Sequence, residues 1–371
     1  MNRRAFLLGT GAAAFAAPTL AQGSSSMRYT ALALQTVCDA VNQDSAIEDA
    51  HARMDRAINR VRGQIGAAKG FLKGFNGYDV KLVVLPEYWM TGFPLGETRE
   101  VWQDKAAIPM DGAFPDKLAG LAQTFGIYLC SNHYENDPNF PDLYFQSNVI
   151  YGPTGETILR YRRMISLYTP SPYDVWDQYL DIYGADAVFP VAETEIGTLG
   201  TIASEEILYP EIARMQAFKG AEIFCHPTSE VGAPTLTPKH ITKKARAIEN
   251  IAFVVSANSA EIIGTPVPPA STDGMSIVLD WYGRSLAEAN QGETINANAV
   301  LDIDALRETR RKTGMTNTLS RLPNAAFASA YGQANHAPAN RTPDAQMIER
   351  KDAIAQQQAV IDRLVASGVL K

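Results

Sequence analysis

The stretch IASEEILYPEIAR, residues 202–214, reads as a strand that ends, turns a sharp corner and restarts as a helix at Pro210. Corners of that kind present a nucleophile at the tip. Here the side chain is the hydroxyl of Ser204, and no cysteine is near it in sequence. A serine hydroxyl is a much weaker acid than a thiol and attacks only with a well-placed base beside it. The bland alternative is a small residue kept at a tight turn. Glu205 and Glu206 follow immediately. Either one of them orients a substrate amine, or the pair places negative charge where the dipole of the following helix favours it.

Other groups with chemical potential are scattered. Cys225 and His226 are adjacent on a strand and so point to opposite faces, which excludes a nucleophile–base bond between them. Cys225 is expected in the core, and His226 and His133 as polar structural residues. Lys239, Lys243 and Lys244 open the helix around KKARAIEN and are expected in solvent, with one of them available to bring positive charge to a site. Cys38, Cys130 and Cys225 form neither a disulfide framework nor a zinc pattern and read as buried small hydrophobes. Acidic calcium loops, Gly-rich phosphate cradles and CxxC pairs are missing, so no cofactor and no metal is implied.

The elements that must position these groups alternate. A first strand covers 29–35, and an amphipathic helix covers 45–66 with Ile47, Met54, Ile58, Val61 and Ile65 on one face. A buried strand (80–87), a helix (115–126), a strand (127–135) and a hairpin (146–163) turning at Pro153-Thr154-Gly155 follow. The second half repeats this alternation, with a hairpin into a strand, a helix over 210–219, a strand through Cys225, a helix into a strand over 243–261, and a closing hairpin. Such a pattern predicts a layered α/β domain. Beyond about 327 the composition shifts to Ala, Gly, Asn and Pro, before a lone helix at 343–367.

The first 21 residues carry Arg3 and Arg4, an apolar run and small residues around Ala21, the layout of a twin-arginine export signal. The run is too short for a membrane span, which needs roughly 20 apolar residues. The expectation is a periplasmic protein. The formal net charge is −7, or −9 once Arg3 and Arg4 leave with the signal, and excludes a basic nucleic-acid footprint.

Four stretches together resemble the nitrilase, or carbon–nitrogen hydrolase, superfamily and its amidase-like branch: VVLPEYWMTGFP, NVIYGPTGETILRYRR, LGTIASEEILYPEIARMQAFKGAEIFCHPTS and ARAIENIAFVVSANSA. They occur in the family's order over roughly residues 28–310. The resemblance implies a four-layer α-β-β-α sandwich over 22–326, followed by the tail at 327–371, in a homodimer or larger homo-oligomer. It implies attack on a small carboxamide or related C–N bond by a glutamate base, a lysine that stabilises the oxyanion and a cysteine nucleophile, with a second glutamate in support. Carried over by position, Glu87 is the base, Arg163 stands where the lysine would be, Ser204 stands where the cysteine would be, and Glu135 is the second glutamate.

Two of the three central residues thus depart from the family pattern. Arg163 either grips Glu87, which weakens it as a base, or points at the reacting carbon as the oxyanion's cation. Two functions remain open on this reading. One is a hydrolase using a Glu/Arg/Ser variant of the triad. The other is an inactive relative that binds a small amide or carboxylate, or scaffolds a partner.

Overall fold

The computed structural model describes residues 27–371 apart from 168, 234, 273, 335 and 343–349, so the expected leader lies outside the described residues. The first half runs β1 (Arg28–Ala33), the short β2 (Cys38–Asp39), α1 (Ile47–Asn76), β3 (Val80–Val84), α2 (Arg99–Ala106), β4 (Ala107–Pro109), α3 (Ala113–Phe125), β5 (Tyr128–Asn136), β6 (Tyr144–Tyr151) and β7 (Thr157–Arg162). The second half runs α4 (Trp176–Tyr183), β8 (Ala192–Thr194), β9 (Gly197–Thr201), α5 (Pro210–Phe218), β10 (Ile223–Pro227), α6 (Pro238–Asn250), β11 (Phe253–Ala257), β12 (Ile262–Ile263), β13 (Ile277–Leu279) and β14 (Ser285–Glu288). Then come β15 (Asn298–Asp302), α7 (Ile303–Arg311), α8 (Asn324–Gln333) and α9 (Arg350–Ala366).

One sheet orders β15-β1-β3-β5-β6-β7, with β4 added beside β5; the other orders β14-β13-β11-β10-β9-β8. β15 returns to pair antiparallel with β1, Tyr29 opposite Leu301, which ties both halves into one domain. Strand alternation builds two cores. Cys130, Ile150 and Tyr161 face inward and meet Leu199, Cys225 and Val255 of the second sheet. Their neighbours Leu129 and Val149 face outward, beneath Met54 and Val61 of α1 and Leu118 of α3. Helices α5 and α6 cover the outer face of the second sheet. The result is the expected α-β-β-α sandwich.

Two departures from the sequence reading have physical causes. Helix α1 continues ten residues past 66, because Ala68 and Leu72 extend its buried face through a run of glycines, and it stops at Gly77 with φ 74°. Short α2, β4, α4, α7 and α8 were not expected; one to three turns carry too little periodicity to be read. Helix α8 crosses the expected boundary at 326, and the last helix is described from Arg350.

Candidate active site

β9 and β10 run parallel, as do β1, β3 and β5, and β7 runs with β5 because both are antiparallel to β6. The chain leaves β3, β7, β9 and β10 at one end of the sandwich, where Glu87, Arg163, Ser204 and Ser229 line a single cavity of about 820 Å³. Tyr88 and Tyr134 stack at 5.7 Å along its wall, giving it an aromatic side.

Ser204 occupies the corner with φ 47°, the left-handed region that L-residues avoid. Such a conformation costs about 1–3 kcal/mol and persists only where the surroundings impose it. Two buried groups do so. His226 Nε2 lies 2.9 Å from the Ser204 carbonyl oxygen and Nδ1 lies 2.8 Å from Ser256 Oγ. A carbonyl only accepts, so Nε2 carries the proton and the Ser256 hydroxyl donates to Nδ1. Burial holds this ring neutral, with its pKa lowered to about 3. Below the corner, the Glu206 carboxyl accepts from the backbone N–H groups of Met164, Ile165 and Ala203 and from the Tyr161 hydroxyl. Burial raises its pKa to about 7. Glu206 is therefore a buckle between the end of β7 and the nucleophile corner, and Glu205 pairs with Arg163. Both acids are thus committed to groups of the protein itself, beyond the two roles the sequence offered for them.

Arg163 grips Glu87. Its Nη1 donates to Glu87 Oε1 at 3.2 Å and to Gln146 Oε1 at 2.6 Å, while Gln146 Nε2 donates to the same Glu87 oxygen at 2.8 Å. Nε donates to the Ile165 carbonyl at 2.7 Å, and Nη2 lies 2.5 Å from Glu205 Oε1. The guanidinium is held on three sides, one edge of it bordering the cavity. A lone lysine nitrogen could not make this set of contacts.

A different cation reaches the Ser204 hydroxyl. Lys239 Nζ lies 3.4 Å from Ser204 Oγ, 3.4 Å from Thr228 Oγ1 and 3.4 Å from the Ser229 carbonyl oxygen. The expectation that Lys239, Lys243 and Lys244 are solvated fails for the first two. Spacings of four and three put Lys239, Lys243 and Arg246 on one face of α6, turned toward the corner. Lys243 pairs with buried Glu230 at 2.7 Å, and Arg246 donates to the carbonyls of Ile207 and Leu208. In sequence, the 239/243/246 spacing on the helix after the next strand, β10, was the available signal.

Glu135 is not part of this constellation. On β5, Tyr134 turns to the cavity, so its neighbour Glu135 points across the other face. There its carboxylate meets Arg162 Nη2 at 2.5 Å, Arg160 Nη1 at 3.2 Å and the Ser147 hydroxyl at 2.5 Å, fully buried. Phe145, Tyr179 and Tyr183 stack around the Arg162 guanidinium. This is a structural ion pair, and the supporting role expected of Glu135 is corrected accordingly. Of the remaining expected residues, Cys38, Cys130 and Cys225 are all buried and unpaired. His133 is buried, its pKa lowered by burial to about 4.

The comparisons with known proteins agree with this architecture. A nitrilase from Pyrococcus abyssi is 27% identical over 252 residues, covering 67% of this chain and 84% of the relative. A formamidase from Pseudomonas syringae pv. syringae is 25% identical over 296 residues, covering 79% and 80%. The crystal structure of a carbon-nitrogen hydrolase from Helicobacter pylori G27 superposes with a TM-score of 0.60 at 21% identity, covering 82% of this chain and 98% of that one. The profile of the carbon-nitrogen hydrolase family matches residues 41–311, nearly three quarters of the sequence, and the chain belongs to that family, within the nitrilase superfamily.

Proposed function

We propose that this protein is an exported hydrolase of small carboxamides that works by acyl transfer to Ser204. The observation that carries the reading is the Ser204 corner: a strained serine on the wall of a cavity it shares with Arg163 and Glu87. The formamidase relative supports a small amide as the substrate class, and the aromatic wall suits a short apolar acyl group. Arg163 supplies a permanent positive charge for the tetrahedral oxyanion, and Glu87 and Gln146 keep the guanidinium in register. Export through the leader around Arg3 and Arg4 belongs to this proposal.

The test uses the purified full chain with p-nitrophenyl acetate and a panel of short amides from formamide to butyramide. The expected result is an acetyl adduct mapped to Ser204 by mass spectrometry and ammonia release from at least one amide, both abolished in Ser204→Ala. A folded protein whose Ser204 stays unmodified and which releases no ammonia would leave a ligand-binding role as the surviving function.

A further inference from the structure

We infer that Lys239 is the general base for Ser204, a serine–lysine pair in place of the carboxylate base that the family resemblance assigned to Glu87. The inference rests on the acyl-transfer reading above and deepens it by naming the proton acceptor.

Three observations converge. First, Nζ lies 3.4 Å from Ser204 Oγ, and no other ionisable side chain is hydrogen-bonded to that hydroxyl among the described residues. Second, its two other neighbours suit a neutral amine. The Ser229 carbonyl can only accept, and the Thr228 hydroxyl can accept as well, which leaves the nitrogen lone pair for the Ser204 hydroxyl proton. Third, Lys239 has no carboxylate within ion-pair distance among the described residues. Glu230, the acid on the same side, is already bound by Lys243 and by the Thr237 hydroxyl at the start of α6. Glu87, by contrast, has Oε1 engaged by Arg163 and Gln146.

Burial acts in the same direction. It lowers the Lys239 pKa from its ordinary value and outweighs Glu87 and Glu230, which raise it, with a smaller lowering from Lys243 and Arg163. The remaining group facing it, His226, is neutral above about pH 3. A lysine so placed loses its proton below the usual lysine range, and a base performs best when that happens near the working pH.

The reaction balances. The Ser204 O–H bond breaks and its proton moves to Nζ as Oγ bonds the amide carbon. Collapse breaks the C–N bond, and the Nζ proton passes to the departing nitrogen, which leaves as ammonia or an amine. Water then gives a proton to Nζ while its oxygen attacks the ester. Ser204 Oγ leaves with that proton, releasing the acid and restoring the neutral amine.

The experiment measures the pre-steady-state acetylation of Ser204 by p-nitrophenyl acetate across pH in the wild type, Lys239→Met and Lys239→Arg, with melting curves as the check on folding. We expect the wild-type rate to rise with pH along one ionisation with a midpoint below 10.5. Both variants should lose roughly a hundredfold or more and lack that ionisation. Added methylamine should restore part of the rate in Lys239→Met only. Arginine keeps the charge but stays protonated, so a Lys239→Arg rate within about tenfold of wild type would make Lys239 a cation and overturn the assignment. A folded Lys239→Met that acylates Ser204 at the wild-type rate would also overturn it, and the acyl-serine reading would survive. A wild type that never acylates Ser204 overturns both.

Discussion

His226 donates its Nε2 proton to the backbone carbonyl of Ser204 at 2.9 Å, so a histidine beside the nucleophile holds the main chain and takes no part in proton transfer. Replacing it with alanine orphans the Ser204 carbonyl and the Ser256 hydroxyl. The expected cost is about 2–3 kcal/mol of folding stability, read by urea denaturation. Acylation of Ser204 should slow as the strained corner relaxes.

The same ring gives a pH signature. The unfolded chain takes up a proton near the ordinary histidine value of 6.5, which the folded ring refuses down to about pH 3. Stability therefore falls as pH drops from about 6.5 toward 3, because the unfolded state binds more protons over that window. His133, lowered to about 4, adds to the same limb. A denaturation series between about pH 7 and pH 4 should show the fall, and His226→Ala should show a shallower one.

Glu206 predicts the opposite slope. Its folded pKa of about 7 exceeds the ordinary 4.5, so its contribution is fully present below 4.5 and is lost as pH rises through 7. Glu206→Gln should remove that dependence and lower stability by about 1–3 kcal/mol, since one amide nitrogen would then face the backbone donors that the carboxyl now accepts. Chemical denaturation at about pH 5 and pH 8 reads both effects.

Glu135 separates structural from catalytic acids. Glu135→Gln leaves Arg162 with Asp137, at 2.6 Å, as its remaining carboxylate and should cost about 1–3 kcal/mol, seen as a lower melting temperature. The acylation rate of the folded fraction should match wild type. A selective loss of rate without loss of stability would return Glu135 to the active site.

The pair Ser204→Cys with Arg163→Lys restores the two residue types of the family pattern. The double variant should create or raise ammonia release from short amides, since a thiol is the better nucleophile. Arg163→Lys alone forfeits contacts to the Ile165 carbonyl and to Glu205 that one nitrogen cannot keep, and should lower the melting temperature. No ammonia release from a folded double variant would mean that the cavity is not shaped for amides.

The sequence by itself determined a layered α/β domain, because alternation of apolar residues along β5 and β6 and the i, i+4 face of α1 are local patterns that each segment carries alone, and the family resemblance implied the four-layer sandwich. It also determined that a serine stands at the corner before Pro210 and that Cys225 and His226 face opposite ways. Only the tertiary structure decided which charges meet. Arg163 and Arg162 are neighbours in the chain at the end of β7, yet one closes on Glu87 and Glu205 while the other closes on Glu135, since a single residue's step turns a side chain to the other face of a sheet. Lys239 lies 35 positions beyond Ser204, and only the packing of α6 against the corner brings its nitrogen to the hydroxyl. A charged side chain reaches several ångströms from its backbone, so its partner depends on how whole layers stack, which no local pattern encodes.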